Sequence, residues 1–246
     1  MLKNLLFHGD CLRYLEQIPD CSVDALITDP PYSSGGLHMG TRQKAPSTKY
    51  LQSGGSSLYP EFTGDQRDQR SHFRWCVLWL TEAFRVLKTG APVCLFSDWR
   101  QLPLTTDALQ AAGFTWRGIA VWDKTEGVRP QSGRFSAQAE YIVWGSKGAM
   151  PSSRAVPALP GVVREPVRKK DKFHVTGKPT ALMQAIVKIC EPGGVILDPF
   201  AGSGTTLVAA ELGGYQWLGS EALEDNIHIS NERLNRIPAI GNADVV

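Results

Sequence analysis

A short segment of acidic, proline and aromatic residues could hold and activate an amine in this 246-residue chain. Asp29, Pro30, Pro31 and Tyr32 follow residues 23–28, which have the pattern of a strand, and two successive prolines force the chain out of the sheet. The Asp29 carboxylate and the Pro30 carbonyl can each accept one N–H hydrogen of an exocyclic amine, which turns the nitrogen lone pair toward an electrophile. Tyr32 offers a flat face on which a base could stack. The segment therefore predicts alkylation of an amino group.

A glycine-rich run, residues 198–206, could bind a nucleoside. It joins a predicted strand to a predicted helix, and Gly202 and Gly204 let a ligand approach the backbone closely. Leu207 stands where a dinucleotide fingerprint needs its third glycine, and the sequence has no G-K-S/T run, so no pyrophosphate site is predicted. Glu221 ends the next predicted strand, where a carboxylate suits two ribose hydroxyls. The residues expected at this ligand, three of them through hydroxyl donors, are Gly202, Ser203, Gly204, Thr205, Thr206 and Glu221.

Both runs also have plainer interpretations. Asp29 could simply accept hydrogen bonds from backbone N–H groups of its own turn, and the two glycines could form only a tight turn. The strand before Asp29 and the aromatic residue after it favour the catalytic interpretation. Glu221, placed after the nine-residue glycine run, favours the nucleoside site.

Strands alternate with helices along the chain, and this alternation would bring both runs to one edge of a sheet. It predicts an α/β fold with a mostly parallel sheet and helices on both faces, within a single domain spanning residues 1–246. Ligands of such sheets bind at the carboxyl ends of the strands. The predicted strands are residues 5–7, 23–28, 93–96, 115–122, 140–144, 195–197 and 215–218, and the predicted helices are residues 11–18, 72–87, 102–112, 179–190, 203–212 and 225–236.

Two stretches interrupt the alternation. Residues 33–70 are rich in Gly, Ser, Gln and charge and are interpreted as an inserted loop, a candidate for target recognition or a lid. Residues 146–177 are interpreted as an irregular basic loop. The basic side chains of this loop could neutralise nucleic-acid phosphates, and a solvated surface loop is the equal alternative. The residues concerned are Arg164, Arg168, Lys169 and Lys170.

Composition excludes several classes of protein. The chain has 26 Lys and Arg against 24 Asp and Glu, a formal net charge of +2, so any basic surface must be local. No run approaches the roughly 20 apolar residues of a membrane helix, and the short apolar start lacks a signal-peptide core. The five cysteines form no C-x-x-C pair, and the histidines have no metal-ligand spacing. We therefore predict a reduced, cytoplasmic protein without a metal site.

Together, these motifs resemble the S-adenosylmethionine-dependent amino methyltransferases of DNA in their β arrangement, where the catalytic motif precedes the cofactor loop. The resemblance implies a Rossmann-like methyltransferase fold, with a mostly parallel sheet that contains one antiparallel strand. Further similarity covers most of the chain: residues 8–11 and 22–28, the helix end at 82–90, Trp122 and Lys124 with the strand at 140–144, and residues 177–182.

The resemblance also implies roles for individual residues. The catalytic set would be Asp29, Pro30, Pro31 and Tyr32, which hold the target base. Asp10 and Cys11 would lie beside the adenine of the cofactor S-adenosylmethionine, Lys178 near its methionine end, and Glu221 at its ribose. Phe200, Gly202 and Gly204 would line the cofactor, and Asp29 and Asp198 are also expected to bind it. The implied partner is double-stranded DNA, and because β-type relatives often dimerise, a homodimer is expected.

The identity of the methylated base rests on position 29. Aspartate there favours N6 of a flipped adenine, since family members that modify N4 of cytosine more often have serine. Methylation of N4 of cytosine remains the alternative. A non-catalytic DNA-binding regulator, which would have no need of Asp29, and a methyltransferase acting on RNA or a small molecule are further alternatives.

Overall fold

A computed structural model describes residues 3–34, 67–128, 132–167 and 177–237 of the chain. Within these ranges, the strands are β1 (Leu5–His8), β2 (Ala25–Thr28), β3 (Pro92–Ser97), β4 (Thr115–Asp123), β5 (Ala139–Ser146), β6 (Val162–Arg164), β7 (Val195–Asp198) and β8 (Gln216–Glu221). They form one sheet in the order β1-β8-β7-β2-β3-β5-β4-β6. Every residue of β2, β3 and β7 is buried, as expected for central strands covered on both faces.

Helices cover both faces of this sheet. They are α1 (Cys11–Leu15), α2 (Gln69–Val86), α3 (Leu102–Ala111), α4 (Thr180–Ile186), α5 (Thr205–Leu212) and α6 (Glu224–Asn235), and a 3-10 turn (Val187–Ile189) continues α4. Helices α1 to α3 bury one apolar cluster that contains Leu15, Leu80 and Leu109. Helices α4 and α5 bury a second cluster on the opposite face, which contains Leu182 and Leu207. The apolar faces of the helices thus explain why the sheet has two separate cores.

Strand direction confirms the predicted fold class. The pairs β1–β8, β8–β7, β7–β2, β2–β3 and β4–β6 are parallel, whereas β5 is antiparallel to both of its neighbours, β3 and β4. One strand therefore opposes the rest, as the resemblance implied. Because β5 runs the other way, its first residues lie at the edge where the parallel strands end.

The structure differs from the sequence-based expectation at several boundaries. The stretch 146–177 was expected to be irregular, but residues 162–164 form the edge strand β6, which pairs with β4. Three residues are too few for hydrophobic periodicity to reveal a strand. Helix α2 begins at Gln69 rather than at His72, inside the predicted inserted loop. Residues 35–66 of that loop lie outside the described residues, as do Arg168, Lys169 and Lys170.

In the part of the chain that the structure describes, no helix is both long and apolar enough to cross a membrane. The same ranges contain no group of three or more His, Cys, Asp and Glu side chains that could hold a metal ion. Trp79 and Trp217 are buried in the core. Trp75 is only partly buried, because it lies at the end of the sheet where the candidate site is found.

Candidate active site

The carboxyl edge of the sheet brings the two predicted motifs together. Strands β2 and β7 are neighbours, so Asp29, which follows β2, lies beside the glycine run that follows β7. Thr28 joins the two strand ends, because its Oγ1 donates a hydrogen bond to Oδ1 of Asp198 over 2.6 Å. Strand β8, which ends at Glu221, is the next strand after β7. One edge therefore holds residues 29–32, which we call the acidic corner, residues 198–206, which we call the glycine loop, and the side chain of Glu221.

Asp29 has a protein partner on each carboxylate oxygen. Tyr32 donates its hydroxyl to Oδ1 over 2.5 Å, and the ammonium of Lys178 donates to Oδ2 over 2.6 Å. The Asp29 side chain still keeps 24% of its surface exposed, so an incoming ligand can reach it. Burial raises the pKa of Asp29 above its ordinary value, and Lys178 only partly opposes this rise.

Lys178 itself is enclosed, with 7% of its side chain exposed. Its Nζ lies 3.3 Å from Oε2 of Glu140, whose other oxygen, Oε1, is 3.2 Å from Nζ of Lys124. Burial alone would lower the pKa of Lys178, but Asp29 and Glu140 outweigh it and raise that pKa. Burial likewise opposes the ionised form of Glu140, and the two lysines reverse the effect, so its pKa is lowered. Glu140 and Lys178 are therefore stabilised as ions by their charged neighbours, whereas Lys178 offsets only part of the cost of burying the Asp29 carboxylate.

Glu140 had no assigned role in the sequence analysis. It is the second residue of β5, and only the antiparallel direction of that strand brings it to the carboxyl edge. The predicted fold contained one antiparallel strand but did not say which, so no signal in the sequence indicated that Glu140 lies at this edge. Two further residues had no such signal either. Gln69 and Gln101 come from separate helices, and each donates a side-chain N–H to the carbonyl of Ser33, over 3.3 and 3.2 Å.

Those two hydrogen bonds fix the chain where it leaves the acidic corner. Ser33 has a φ of +52°, a conformation that non-glycine residues rarely adopt. Its side chain is also bound, because Oγ accepts a hydrogen bond from the Arg67 backbone N–H over 3.3 Å. The surrounding structure thus holds a strained residue directly after Tyr32, as is common next to functional sites.

The glycine loop is held by backbone hydrogen bonds and by Glu221. The N–H of Gly202 donates to Glu221 Oε2 and the N–H of Leu223 donates to Oε1, each over 2.9 Å. Gly202 has a φ of +52°, and a Cβ built on it would have no heavy atom within 4 Å. The loop therefore has open space above Gly202, with a carboxylate beside it. This arrangement fits a nucleoside whose ribose hydroxyls bond to Glu221.

Two of the loop hydroxyls expected as ligand donors, those of Ser203 and Thr205, are hydrogen-bonded within the protein. Ser203, Thr205 and Thr206 are buried. Nη1 of Arg233 donates to Oγ of Ser203 over 3.2 Å and to Oγ1 of Thr205 over 2.9 Å. The Arg233 guanidinium comes from α6, whose position could not be inferred from the loop sequence. Its hydrogen bonds turn the hydroxyls into parts of the scaffold.

Asp198 is also part of the scaffold, and it was expected at the ligand. Its side chain is buried, and Oδ1 accepts hydrogen bonds from Thr28 and from the N–H of Phe200, the latter over 3.1 Å. Burial raises the pKa of Asp198 to about 6. The Phe200 ring packs against Trp75 and Trp79, with ring centroids 5.3 and 5.0 Å apart.

The first strand supplies the residues expected beside the adenine. Asp10 is the N-cap of α1, where its Oδ1 accepts hydrogen bonds from the N–H groups of Leu12 and Arg13. Cys11 is buried, and burial raises the pKa of its thiol to about 12, so it is not a nucleophile at neutral pH. The backbone of this segment is tied to the site, because Gly9 N–H donates to the carbonyl of Glu221 over 2.8 Å.

Among the predicted phosphate contacts, only Arg164 is described. It is exposed on the edge strand β6 and pairs with two acidic side chains, Glu126 (Nη2 to Oε2, 2.5 Å) and Asp123 (Nε to Oδ2, 3.7 Å). The Arg164 guanidinium is therefore already paired with two carboxylates.

Comparisons with known proteins agree with this geometry. The model of the DNA methylase family N6_N4_Mtase matches residues 23–232. The chain is 29% identical over 261 residues to the type II methyltransferase M.HinfI of Haemophilus influenzae, covering 95% of this chain and 69% of the relative. The solved complex of M1.HpyAVI with SAM has a TM-score of 0.66 at 21% identity and covers 94% of this chain and 98% of that one. The PvuII cytosine-N4-specific DNA methyltransferase has a TM-score of 0.66 at 17% identity, with 96% and 89% covered.

The two structures share the fold, and the family model spans most of the sequence, including both motifs of the carboxyl edge. On this evidence, the chain belongs to the N6/N4 DNA methylase family.

Proposed function

We propose that this protein transfers a methyl group from S-adenosylmethionine to N6 of an adenine flipped out of double-stranded DNA. The observation that carries the proposal is the adjacency of the acidic corner to the glycine loop, which the Thr28–Asp198 hydrogen bond joins at one sheet edge. An amine held at Asp29 is thereby close to a ligand held over Gly202. Family membership supports the reaction class.

The cofactor assignment rests on the fit of the glycine loop and on the SAM complex of the structural neighbour M1.HpyAVI. The open space above Gly202 and the Glu221 carboxylate suit the ribose, and the exposed Asp10 lies after the neighbouring strand β1 for contact with the adenine. When bound, S-adenosylmethionine supplies an electrophilic methyl group on a sulfonium. Lys178 is proposed to face the methionine end from its place beside Asp29.

The acidic corner provides the chemistry for the amine. The target base must leave the duplex, because its amino group is unreachable while stacked. The base stacks on Tyr32. Its amino group donates one hydrogen bond to Asp29 and one to the carbonyl of Pro30. These acceptors reduce conjugation of the nitrogen with the ring and orient its lone pair. Asp29, whose pKa is raised by burial, can then take the proton that the alkylated nitrogen releases.

Adenine is preferred to cytosine because Asp29 stands at the position where family members specific for N4 of cytosine more often have serine. The PvuII neighbour is cytosine-N4-specific, so the shared fold does not by itself select the base. Methylation of N4 of cytosine remains the second candidate. The phosphate contacts proposed for Arg164, Arg168, Lys169 and Lys170 would make DNA binding weaken as salt rises.

The test is mass spectrometry of nucleosides after reaction with S-adenosylmethionine. The protein is incubated in parallel with double-stranded DNA, RNA and free nucleosides. We expect N6-methyl-2′-deoxyadenosine from DNA alone, and no product from Asp29→Ala, which should still bind the cofactor. N4-methyl-2′-deoxycytidine would establish the second candidate. Product from RNA or free nucleosides alone, or full activity of Asp29→Ala, would contradict the proposal.

A further inference from the structure

The resting contacts of Asp29 pose a problem for the proposed reaction. Its Oδ2 is bound by the ammonium of Lys178 over 2.6 Å, and its Oδ1 by the Tyr32 hydroxyl over 2.5 Å. A carboxylate oxygen has a second lone pair, but a bound ammonium draws charge away from that oxygen and weakens it as an acceptor. An amine that donates to Asp29 must therefore compete with Lys178.

Lys178 cannot solve this problem by moving into water. Only 7% of its side chain is exposed, and Nζ lies among aromatic rings, 5.2 Å from the centre of Phe96, 5.5 Å from Tyr32 and 6.0 Å from Trp122. An ammonium in such surroundings needs a carboxylate partner, because an unpaired buried charge is costly. If Lys178 releases Asp29, another carboxylate must be within reach.

Glu140 meets that requirement. Its Oε2 already lies 3.3 Å from Nζ of Lys178, a longer contact than the 2.6 Å between that Nζ and Oδ2 of Asp29. Its other oxygen is fixed by Lys124 over 3.2 Å, so the carboxylate is anchored on one side and faces Lys178 with the other. A shift of the Lys178 ammonium toward Oε2 would exchange one carboxylate for another and leave the number of buried charges unchanged.

We propose that Glu140 is a positioning residue that receives the Lys178 ammonium when an amine enters the corner, and so leaves Oδ2 of Asp29 free to accept the amine N–H. The inference rests on the proposed function, since it concerns how the corner receives its amine. It assigns no bond-making step to Glu140, which acts only through Lys178. Lys124 holds Glu140 in place for this exchange.

The experiment compares Glu140→Gln with the wild type in single-turnover methyl transfer to DNA. Glutamine keeps the shape of the side chain but cannot balance the ammonium, so Lys178 stays on Asp29. We expect the rate at saturating substrates to fall about tenfold or more, the size of coupling found in shared ion-pair networks. The dissociation constant for S-adenosylmethionine, measured by calorimetry, should stay close to that of the wild type. Glu82→Gln, which removes the partner of Arg85 on α2, is the matched control and should keep the wild-type rate.

Lys178→Met provides the second half of a double-mutant cycle. If Glu140 acts through Lys178, adding Glu140→Gln to Lys178→Met causes no further loss of rate. A rate for Glu140→Gln equal to that of the wild type, an equal loss of cofactor affinity, or a full additional loss in the Lys178→Met background would each overturn the inference.

Thermal unfolding without cofactor separates failure of this inference from failure of the proposed function. Glu140→Gln and Lys178→Met should each lower the midpoint, and the double variant should lower it by less than the sum. Simple additivity would overturn the pairing even if no methyl transfer to DNA were found. If Glu140→Gln does not fold, Glu140→Asp replaces it. This variant keeps the charge but shortens its reach, and we expect a slower reaction with unchanged cofactor affinity, whereas an unchanged rate would refute the inference.

Discussion

The acidic corner around Asp29 and the glycine loop lie at the ends of neighbouring strands, yet they are held by different forces. In the corner, ion pairs link Asp29 to Lys178, Lys178 to Glu140 and Glu140 to Lys124. The loop is held mainly by hydrogen bonds between backbone groups and side chains, such as Gly202 N–H to Glu221 and the Ser230 hydroxyl to the Gly202 carbonyl. A balance of charges is sensitive to one proton or one lost ion, whereas a hydrogen-bonded loop is sensitive to space and backbone angle. The corner should therefore control rate, and the loop should control cofactor affinity.

The largest expected effect comes from Asp29→Asn in the corner. The amide keeps the size of the side chain but loses the charge, so it accepts the amine N–H weakly and cannot take up a proton. We expect methyl transfer to fall by about a thousandfold. Cofactor affinity should change far less, and rapid-quench transfer assays with calorimetry measure both. Equal losses in the two quantities would contradict the division between corner and loop.

The next effect is the pH dependence of stability that comes from the buried Asp198. The pKa of Asp198 is raised by burial from 3.8 to about 6, so the folded protein holds this proton more tightly than the unfolded chain. The resulting stabilisation is present below pH 4 and is lost as pH rises through 6, an effect of up to about 3 kcal/mol. Asp198→Asn lacks the titration, so its free energy of unfolding relative to the wild type should increase between pH 4 and pH 7. Urea denaturation at both pH values checks this, and a difference independent of pH would disprove it.

A smaller effect is expected from Gly204→Ala in the loop. Gly204 has a φ of +77°, and an added Cβ would lie 2.8 Å from Oγ of Ser230. Both the backbone strain and the contact must be relieved, at a cost of about 2 kcal/mol in the free energy of unfolding. Ser230 would move away from the Gly202 carbonyl, so cofactor affinity should also fall. Denaturation and calorimetry test the two outcomes, and unchanged affinity would show that Ser230 does not support the loop.

The smallest loss of stability is expected from Gly202→Ala, the matched partner of Gly204→Ala. Its φ of +52° is also unfavourable for alanine, but the added Cβ meets no atom within 4 Å. We expect about 1 kcal/mol of destabilisation from the backbone alone. The methyl group would extend into the proposed cofactor space, so affinity should fall out of proportion to stability. If Gly202→Ala binds the cofactor as tightly as the wild type does, the cofactor does not bind over Gly202.

Much of the fold could be predicted because its elements carry clear local patterns. The buried strands β2 and β7, the helix stops and the single antiparallel strand all follow from apolar runs, glycines and resemblance to a family. The edge strand β6 could not be predicted, because three residues show no periodicity and their pairing with β4 is a tertiary contact. The hydrogen bonds of Ser203 and Thr205 could not be predicted either, since their partner Arg233 comes from a helix that follows later in the chain.

The sequence by itself determined the acidic corner, the glycine loop and their common position at the ends of parallel strands, because prolines, glycines and strand patterns act locally. Only the tertiary structure decided which side chains surround Asp29. Lys178 lies 149 positions from Asp29 in the sequence, yet its ammonium binds the Asp29 carboxylate. Glu140 reaches the same edge because it begins the antiparallel strand β5. Such contacts depend on strand order and direction, which bring together charges from distant parts of the chain, and no local pattern specifies them.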